Sequence, residues 1–360
     1  MTASIIVCYN EGDKKMEQAY YMKTTIKNIA DACNLSITSV SLVLNGKPNR
    51  ISEETKELIL KTAKKMNYRP NPNAVGLARG KTKTIGLIIT DIGNMFLSET
   101  SRVIETEFRK YGYTLLLGNT GDHAVRELEY LQEFIGKNVE GIILFHASDG
   151  SEEIERQIKR LITEGDIPVV MLDNDMEDLD VIRCLVDNER GGYMATRHLL
   201  ERGHTKIGSL LGPMGQYSVR SRLRGYRRAL EEAGILYDEK YLYEGDFTIN
   251  TGIEALPYFL DLGVTAIFAY NDMMAYGVLQ YAKDHGIRIG RDLALIGYDD
   301  SFINSLLGVT LSSVRQPRRD VAQMAAKCLV NVIKNGKIKK KRIMFEPVLC
   351  ERESTQYCVK

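Results

Sequence analysis

The sequence predicts an α/β protein: a small helix-turn-helix headpiece ahead of a larger core built on parallel sheets. Three observations carry that reading. Between Lys23 and Lys81, two short amphipathic segments flank a tight turn and a third follows. Beyond Thr84, short apolar strands alternate with amphipathic helices, the pattern of right-handed crossovers in a parallel sheet. Charge is also segregated: Lys23 to Lys81 holds eleven Lys and Arg against four Asp and Glu, an excess of seven, while the whole chain is only +1. A length of 360 residues suits two or three units with sizeable cores.

The headpiece can be justified element by element. Thr25 caps a first helix whose apolar stripe is Ile26, Ile29, Ala30 and Cys33. Asn34-Leu35 supplies the turn, because Asn tolerates a left-handed backbone. Ser36 caps a second helix from about Ile37 to Leu44, which is expected to bury Val40, Val43 and Leu44. Its outer face then carries Ile37, Thr38, Ser41 and Leu42, where a recognition helix meets base edges. Asn45-Gly46 ends it. Ser52 caps a third helix, with Glu53 and Glu54 in its first turn and Leu58, Ile59, Ala63 and Met66 as the expected core stripe. Basic charge confined to such a module is the footprint of phosphate binding, so double-stranded DNA is the expected partner. The expected contact set is Thr25, Ser36, Ile37, Thr38, Ser39, Ser41, Leu42, Asn45, Tyr68, Asn73, Leu77 and Ala78.

The stretch NYRPNPNAVGLARGKTKT marks a boundary, since Pro70 and Pro72 bar a helix before about Asn73. A helical turn or two over Asn73 to Ala78 is marginal alone in water. The expected divisions are a headpiece at 22–70, a hinge at 71–81 and a core at 82–360. Residues 1–21 stand apart, either as an extension or upstream of a start at Met22.

The runs KTTIKNIADACNLSITSVSLVLNGK, ISEETKE, NYRPNPNA, GLARGKT, TIGLIITDI, GYTLLLGNT, GGYMATRHLLERGH, LALIGYDD and SSVRQPRRD resemble the lac repressor and galactose repressor family of bacterial regulators. The resemblance, which runs on to Arg352-Glu353-Ser354, leaves out only the first twenty-one residues. It implies a periplasmic-binding-protein-like core of two doubly wound parallel-sheet subdomains joined by three crossovers, near Val186, Gln316 and Lys341. Subdomain one would take about 82–186 and 317–340, subdomain two about 187–316 and 341–360. It also implies a hinge that folds on DNA, with Leu77 at the position of a leucine that wedges into the minor groove.

Strand ends in the core carry Asp91, Asn119, Asp173, Asn271-Asp272 and Asp299, and ligands of doubly wound sheets sit outside the carboxyl ends of strands. By motif, the resemblance places Arg222 and Asp299 on a ligand, Asn271 and Asp272 near its hydroxyls, and Phe96 and Phe247 against its ring. With Asp91 and Ser218 these form the expected effector site. Asp299 as a helix cap and Arg222 as a surface ion pair are the alternative readings. With no Trp in the chain, any stacking platform is Phe or Tyr. The chemistry favours a sugar or sugar phosphate, with a purine as the other option.

The sequence departs from the family pattern at Leu42, where an arginine or histidine is common; leucine cannot read guanine bidentately. Ala78 stands where some members carry lysine. No catalytic signature, phosphate loop or dinucleotide loop is found, and His198 and His204 read as surface or packing residues. Six scattered cysteines, no apolar run of membrane length and no signal peptide point to a cytoplasmic, nucleoid-associated protein. The combined expectation is a homodimeric regulator, reading as a repressor, with neither cofactor nor metal. No tetramer is expected, since no heptad tail follows the last motif. A solute receptor and a sugar-processing enzyme are the rivals.

Overall fold

In a computed structural model, residues 24–47, 49–68, 81–176, 179–336 and 341–356 are described. The chain divides into two compact units at Thr82/Lys83.

The first unit holds three helices among its described residues: α1 (Ile26–Cys33), α2 (Ile37–Leu44) and α3 (Glu53–Lys65). Local chemistry sets their limits. Thr25 and Asn28 form a reciprocal capping box, Asn34 adopts φ 55°, and Ser36 and Ser52 accept from backbone amides three residues on. Ile29, Ala30, Val40, Ile59 and Ala63 form the core, with Ile26, Cys33, Val43, Leu44 and Met66 packed half-buried around it. Leu58 is a correction: it is 48% exposed. The buried stripe is Ile59, Ala63 and Met66, at i, i+4 and i+7, and Leu58 sits one residue, about 100°, off that line. Asn73, Leu77 and Ala78, with the hinge expected at 71–81, lie outside the described residues except for Lys81.

The second unit contains two six-stranded sheets. The first runs β11-β5-β4-β3-β1-β2, from β1 (Thr84–Ile89), β2 (Thr114–Asn119), β3 (Gly141–Phe145), β4 (Val169–Leu172), β5 (Ile182–Val186) and β11 (Lys341–Phe345), all parallel. The second runs β12-β10-β9-β8-β6-β7, from β6 (Ile207–Leu211), β7 (Leu242–Glu244), β8 (Ala266–Ala269), β9 (Ala294–Asp299), β10 (Ser312–Arg315) and β12 (Val348–Cys350). Only β12 is antiparallel to its neighbour. The central strands are buried along their whole length, as sheets covered on both faces must be.

Helices α4 (Met95–Lys110), α5 (Ala124–Gly136), α6 (Glu152–Glu164) and α11 (Arg318–Asn335) go with the first sheet. Helices α7 (Asn188–Leu200), α8 (Tyr217–Glu232), α9 (Ile249–Asp261) and α10 (Asp272–Asp284) go with the second. The chain crosses between sheets after Val186, at Gln316-Pro317 and at Glu346-Pro347. The third crossing therefore falls about five residues beyond the expected Lys341: β11 pairs with β5 in register Lys341↔Ile182, so 341–345 belong to subdomain one. The short edge strand KRIMF opens on two basic residues and ends on three apolar ones, so its sequence has no period-two alternation and does not say which sheet it joins.

Candidate functional site

In each sheet a later strand inserts next to the first: β1 lies between β2 and β3, and β6 between β7 and β8. Crossovers leave in opposite directions there, opening a crevice at the carboxyl ends. The two crevices face each other across a narrow cleft lined from both subdomains.

Its apolar walls are Phe96 and Leu97 at the start of α4, Phe145 at the end of β3, and Phe247. Phe247 takes φ 68°, a left-handed backbone rarely adopted by an aromatic residue. Two contacts hold it. Its carbonyl accepts from Asn271 Nδ2 at 2.9 Å, and its ring lies against Gly212, where a Cβ would come within 2.1 Å of it.

Subdomain two supplies polar groups that are mostly engaged already. Arg222, 3% exposed, donates Nε to Asn188 Oδ1 at 2.9 Å and Nη1 to the Tyr270 carbonyl, and stacks 3.7 Å from the Tyr298 ring. Asn271 caps α10, its Oδ1 accepting from Met274 N at 2.9 Å. Its amide is thus consumed at both ends, although it lines the cleft. Asp299 accepts from Gln316 Nε2 at 2.7 Å. Burial raises its carboxyl pKa, with Asp272 adding to the shift and the Arg222 guanidinium opposing it. Ser218 lines the cleft on α8.

Two expected members stand elsewhere. Asp272 does not line the cleft; it is buried under β9, accepting from Ser301 N (2.7 Å), Asn304 Nδ2 (2.9 Å) and Ser313 Oγ (2.7 Å). Helix geometry explains this: Asn271, as N-cap, points back toward the strand ends, while the next residue turns into the helix–sheet interface. Asp91 lines an adjoining outer cavity with Asp122 and Asp246.

Subdomain one brings Asp173, expected at a strand end, together with His146 and Asn174, which the sequence did not single out. His146 Nδ1 pairs with Glu127 (2.9 Å) and its Nε2 with Glu155 (3.0 Å). Burial alone would lower its pKa, but the two carboxylates outweigh that and hold it at about 10. Its carbonyl accepts from Asn174 Nδ2 at 2.7 Å. Asp173 follows β4 with φ 63° and a pKa raised by burial, which the Arg222 charge partly offsets. Among the described residues, three buried acceptors in the cleft have no partner: Asp173 Oδ1, Asn174 Oδ1 and Gln316 Oε1. Asn94, Thr90 and Gln216 complete the polar lining. Gln216 Nε2 also donates across the cleft to Asp122 Oδ2 at 3.3 Å. Arg318 ties the subdomains on another side, pairing with Glu99 at 2.8 Å and donating to the Asp300 carbonyl at 2.9 Å.

In the headpiece, Ile37 and Thr38 stand exposed on α2, Ser41 and Leu42 half-buried. Ser36 and Ser39 hydrogen-bond one another at 2.9 Å, and Asn45 donates back to the Ser41 carbonyl at 2.8 Å. Thr25 is occupied as a cap. Tyr68 packs on the headpiece core, and partial burial raises its hydroxyl pKa. His198 and His204 are buried, hydrogen-bonded to Thr355 Oγ1 at 2.8 Å and Thr265 Oγ1 at 3.0 Å. Among the described residues, no cluster of His, Cys, Asp and Glu could hold a metal, and no helix is long and apolar enough to cross a membrane.

Residues 25–71 match the model of bacterial regulatory proteins of the lacI family, and residues 196–355 match a periplasmic binding protein-like domain. The chain is 35% identical over 334 residues to the HTH-type transcriptional repressor PurR of Vibrio atlanticus (strain LGP32), covering 92% of this chain and 98% of that one. The chain belongs to the lacI family. Another family relative, catabolite control protein A of Priestia megaterium, is 32% identical over 93% of this chain and all of its own. A solved transcriptional regulator, CelR in complex with cellobiose, superposes with a TM-score of 0.68 at 26% identity, over 92% of this chain and 100% of that one. As in other lacI-family chains, a helix-turn-helix unit is joined to a two-subdomain α/β core.

Proposed function

We propose that this chain is a cytoplasmic transcriptional repressor that binds a near-palindromic operator as a homodimer, and that a sugar or sugar derivative in the cleft sets its operator affinity. The observation that carries the effector reading is the set of unpartnered buried acceptors, Asp173 Oδ1, Asn174 Oδ1 and Gln316 Oε1, beside the Phe96 and Phe247 rings. Buried acceptors left unmade cost about 1–3 kcal/mol each, so a ligand that brings hydroxyl donors and an apolar ring face recovers that cost. The bound cellobiose of the CelR complex agrees with this chemistry. No residue of the cleft forms a nucleophile–base pair, which favours binding over turnover.

Control follows from linkage. A ligand held between the subdomains favours one angle between them, and whichever angle suits the operator-bound dimer gains or loses population. Reciprocity makes the two effects equal: a tenfold change in operator affinity requires a tenfold change in ligand affinity, about 1.4 kcal/mol. On α2, Ile37 and Thr38 are the exposed base-reading candidates, with Ser41 and Leu42 behind them. Ile37 and Leu42 suit thymine methyls rather than guanine.

The test is operator selection from a random duplex pool with the full chain, followed by fluorescence anisotropy with and without a sugar panel. One duplex should bind at least a thousandfold better than bulk DNA, and at least one sugar should change that affinity tenfold or more. Leu77→Ala should weaken operator binding while leaving sugar binding within twofold. Absence of any preferred duplex would sink the reading.

A further inference from the structure

Resting on that reading, we propose that the cleft selects an uncharged or amine-bearing polyol and rejects phosphorylated and carboxylated ones. Charges and free valences at the site both point that way. Among the residues lining the cleft, the cationic side chains are Arg222 and His146, and no lysine is present. Both are already engaged with protein groups, Arg222 in part and His146 at both ring nitrogens. Arg222 spends Nε and Nη1 on Asn188 and the Tyr270 carbonyl and lays its plane on Tyr298. His146 has both ring nitrogens on Glu127 and Glu155, so that triad is net negative.

The donors of nearby helix starts are committed as well. Asn94 Oδ1 accepts from the amides of Phe96 and Leu97, and Asn271 Oδ1 from Met274. Helices α8 and α11 begin without a side-chain cap, and their first turns offer backbone donors to a ligand oxygen.

Acceptors are in surplus. Asn174 (4% exposed) and Gln316 (2% exposed) leave their side-chain oxygens unpartnered while donating their amide hydrogens elsewhere, to the His146 carbonyl and to Asp299. Both lie beside the carboxyls of Asp173 and Asp299. The approach is acidic too. The adjoining outer cavity is lined by Asp91, Asp122 and Asp246 and by no Lys, Arg or His. An anion entering this path passes the carboxylates of the outer cavity, and the repulsion strengthens as the surroundings become less polar. A hydroxyl or ammonium edge meets three acceptors in need of donors, Asp173 Oδ1, Asn174 Oδ1 and Gln316 Oε1.

The two admissible classes differ in proton balance. Ionised Asp173 or Asp299 would pair with an ammonium, so an amine-bearing polyol binds more tightly as pH rises through the raised carboxyl pKa values. An uncharged polyol needs only an acceptor, which both protonation states supply, and shows a weaker pH dependence.

The experiment is calorimetric titration of the full chain with matched probes: pentoses, hexoses and cellobiose, their 2-amino-2-deoxy forms, and their phosphates and uronates. The expected result is binding in the first or second group, with at least a hundredfold loss on adding phosphate or carboxylate. Asp173→Asn, which keeps shape and one acceptor, should weaken the bound neutral or amino probe tenfold or more, with the unliganded melting temperature held. A phosphate or uronate that binds more tightly than its parent, and tighter still to Asp173→Asn, overturns the inference while leaving a sugar-controlled regulator in place. A blank across all groups, with operator binding unaltered by any probe, overturns both the inference and the effector reading beneath it.

Discussion

The two walls of the cleft are built on similar sheets but are left in different states. On the subdomain-two wall, Arg222 and Asn271 are tied to their own framework: one holds Asn188 and Tyr270, the other holds Phe247 and caps α10. On the subdomain-one wall, Asp173 and Asn174 present acceptors that no described residue satisfies. The first wall is preorganised, and positions ligand at little further ordering cost. The second is incomplete, so it gains most when a ligand arrives. That asymmetry gives a physical basis for a ligand-dependent angle between subdomains, because the incomplete wall gains only when the cleft closes on a donor.

Perturbing one wall should therefore be read in stability, and perturbing the other in affinity. The largest effect is expected from Arg222→Ala. It removes the stack on Tyr298, strands the Tyr270 carbonyl and takes away the positive charge that offsets burial of Asp173 and Asp299. Breaking such a buried arrangement costs roughly 3–5 kcal/mol, read as a fall in the urea midpoint with no ligand present. A stable Arg222→Ala protein that has merely lost ligand would erase the distinction between the walls.

Gly212→Ala should come next. Its Cβ would press on the Phe247 ring, and overpacking of this kind costs about 1–3 kcal/mol. Because Phe247 is itself anchored by Asn271, the loss should be shared between melting temperature and sugar affinity. A change confined to affinity would mean the ring swings freely and the wall is less rigid than its hydrogen bonds imply.

The smallest effect sharpens the comparison through pH. The Asp299 carboxyl is raised in the folded chain to about 8, chiefly by burial. A raised acid stabilises the fold when protonated, so its contribution is complete below its unfolded value near 4 and declines as pH rises toward 8. Unfolding midpoints at pH 5 and pH 8 should differ less in Asp299→Asn than in the parent. An unchanged slope would place the proton on Asp272 or Asp173 instead.

Much of this architecture was legible in the sequence. Asn34 takes the left-handed turn its amide tolerates, and Ser36 and Ser52 cap as expected, because those signals involve residues within a few positions of each other. Central strands such as GIILF and ALIGYD announce themselves as apolar runs. The site was legible only in outline. Arg222, Asp299, Phe96, Phe247, Ser218 and Asn271 do line the cleft, while Asp91 stands in the outer cavity and Asp272 behind β9. Asn271 and Asp272 are adjacent in sequence, yet one turns toward the cleft and the other into the sheet, a difference of one helical step. In the strand Ile182–Val186, Arg183 interrupts the apolar run, and only the fold shows that arginine buried against Asp175.

What the sequence determined by itself was the order of elements, their caps, the segregation of basic charge into the headpiece and the polar punctuation at strand ends. All of these depend on neighbours along the chain. What only the tertiary structure decided was which polar groups are spent and which remain free. His146 is neutralised by Glu127 and Glu155 from 19 residues before and 9 after it. Asn174 and Gln316 donate their amide hydrogens to distant partners and leave their oxygens to the cleft. Hydrogen-bond satisfaction is a property of the packed interior, where each donor can be used once, so it cannot be counted until the chain is folded.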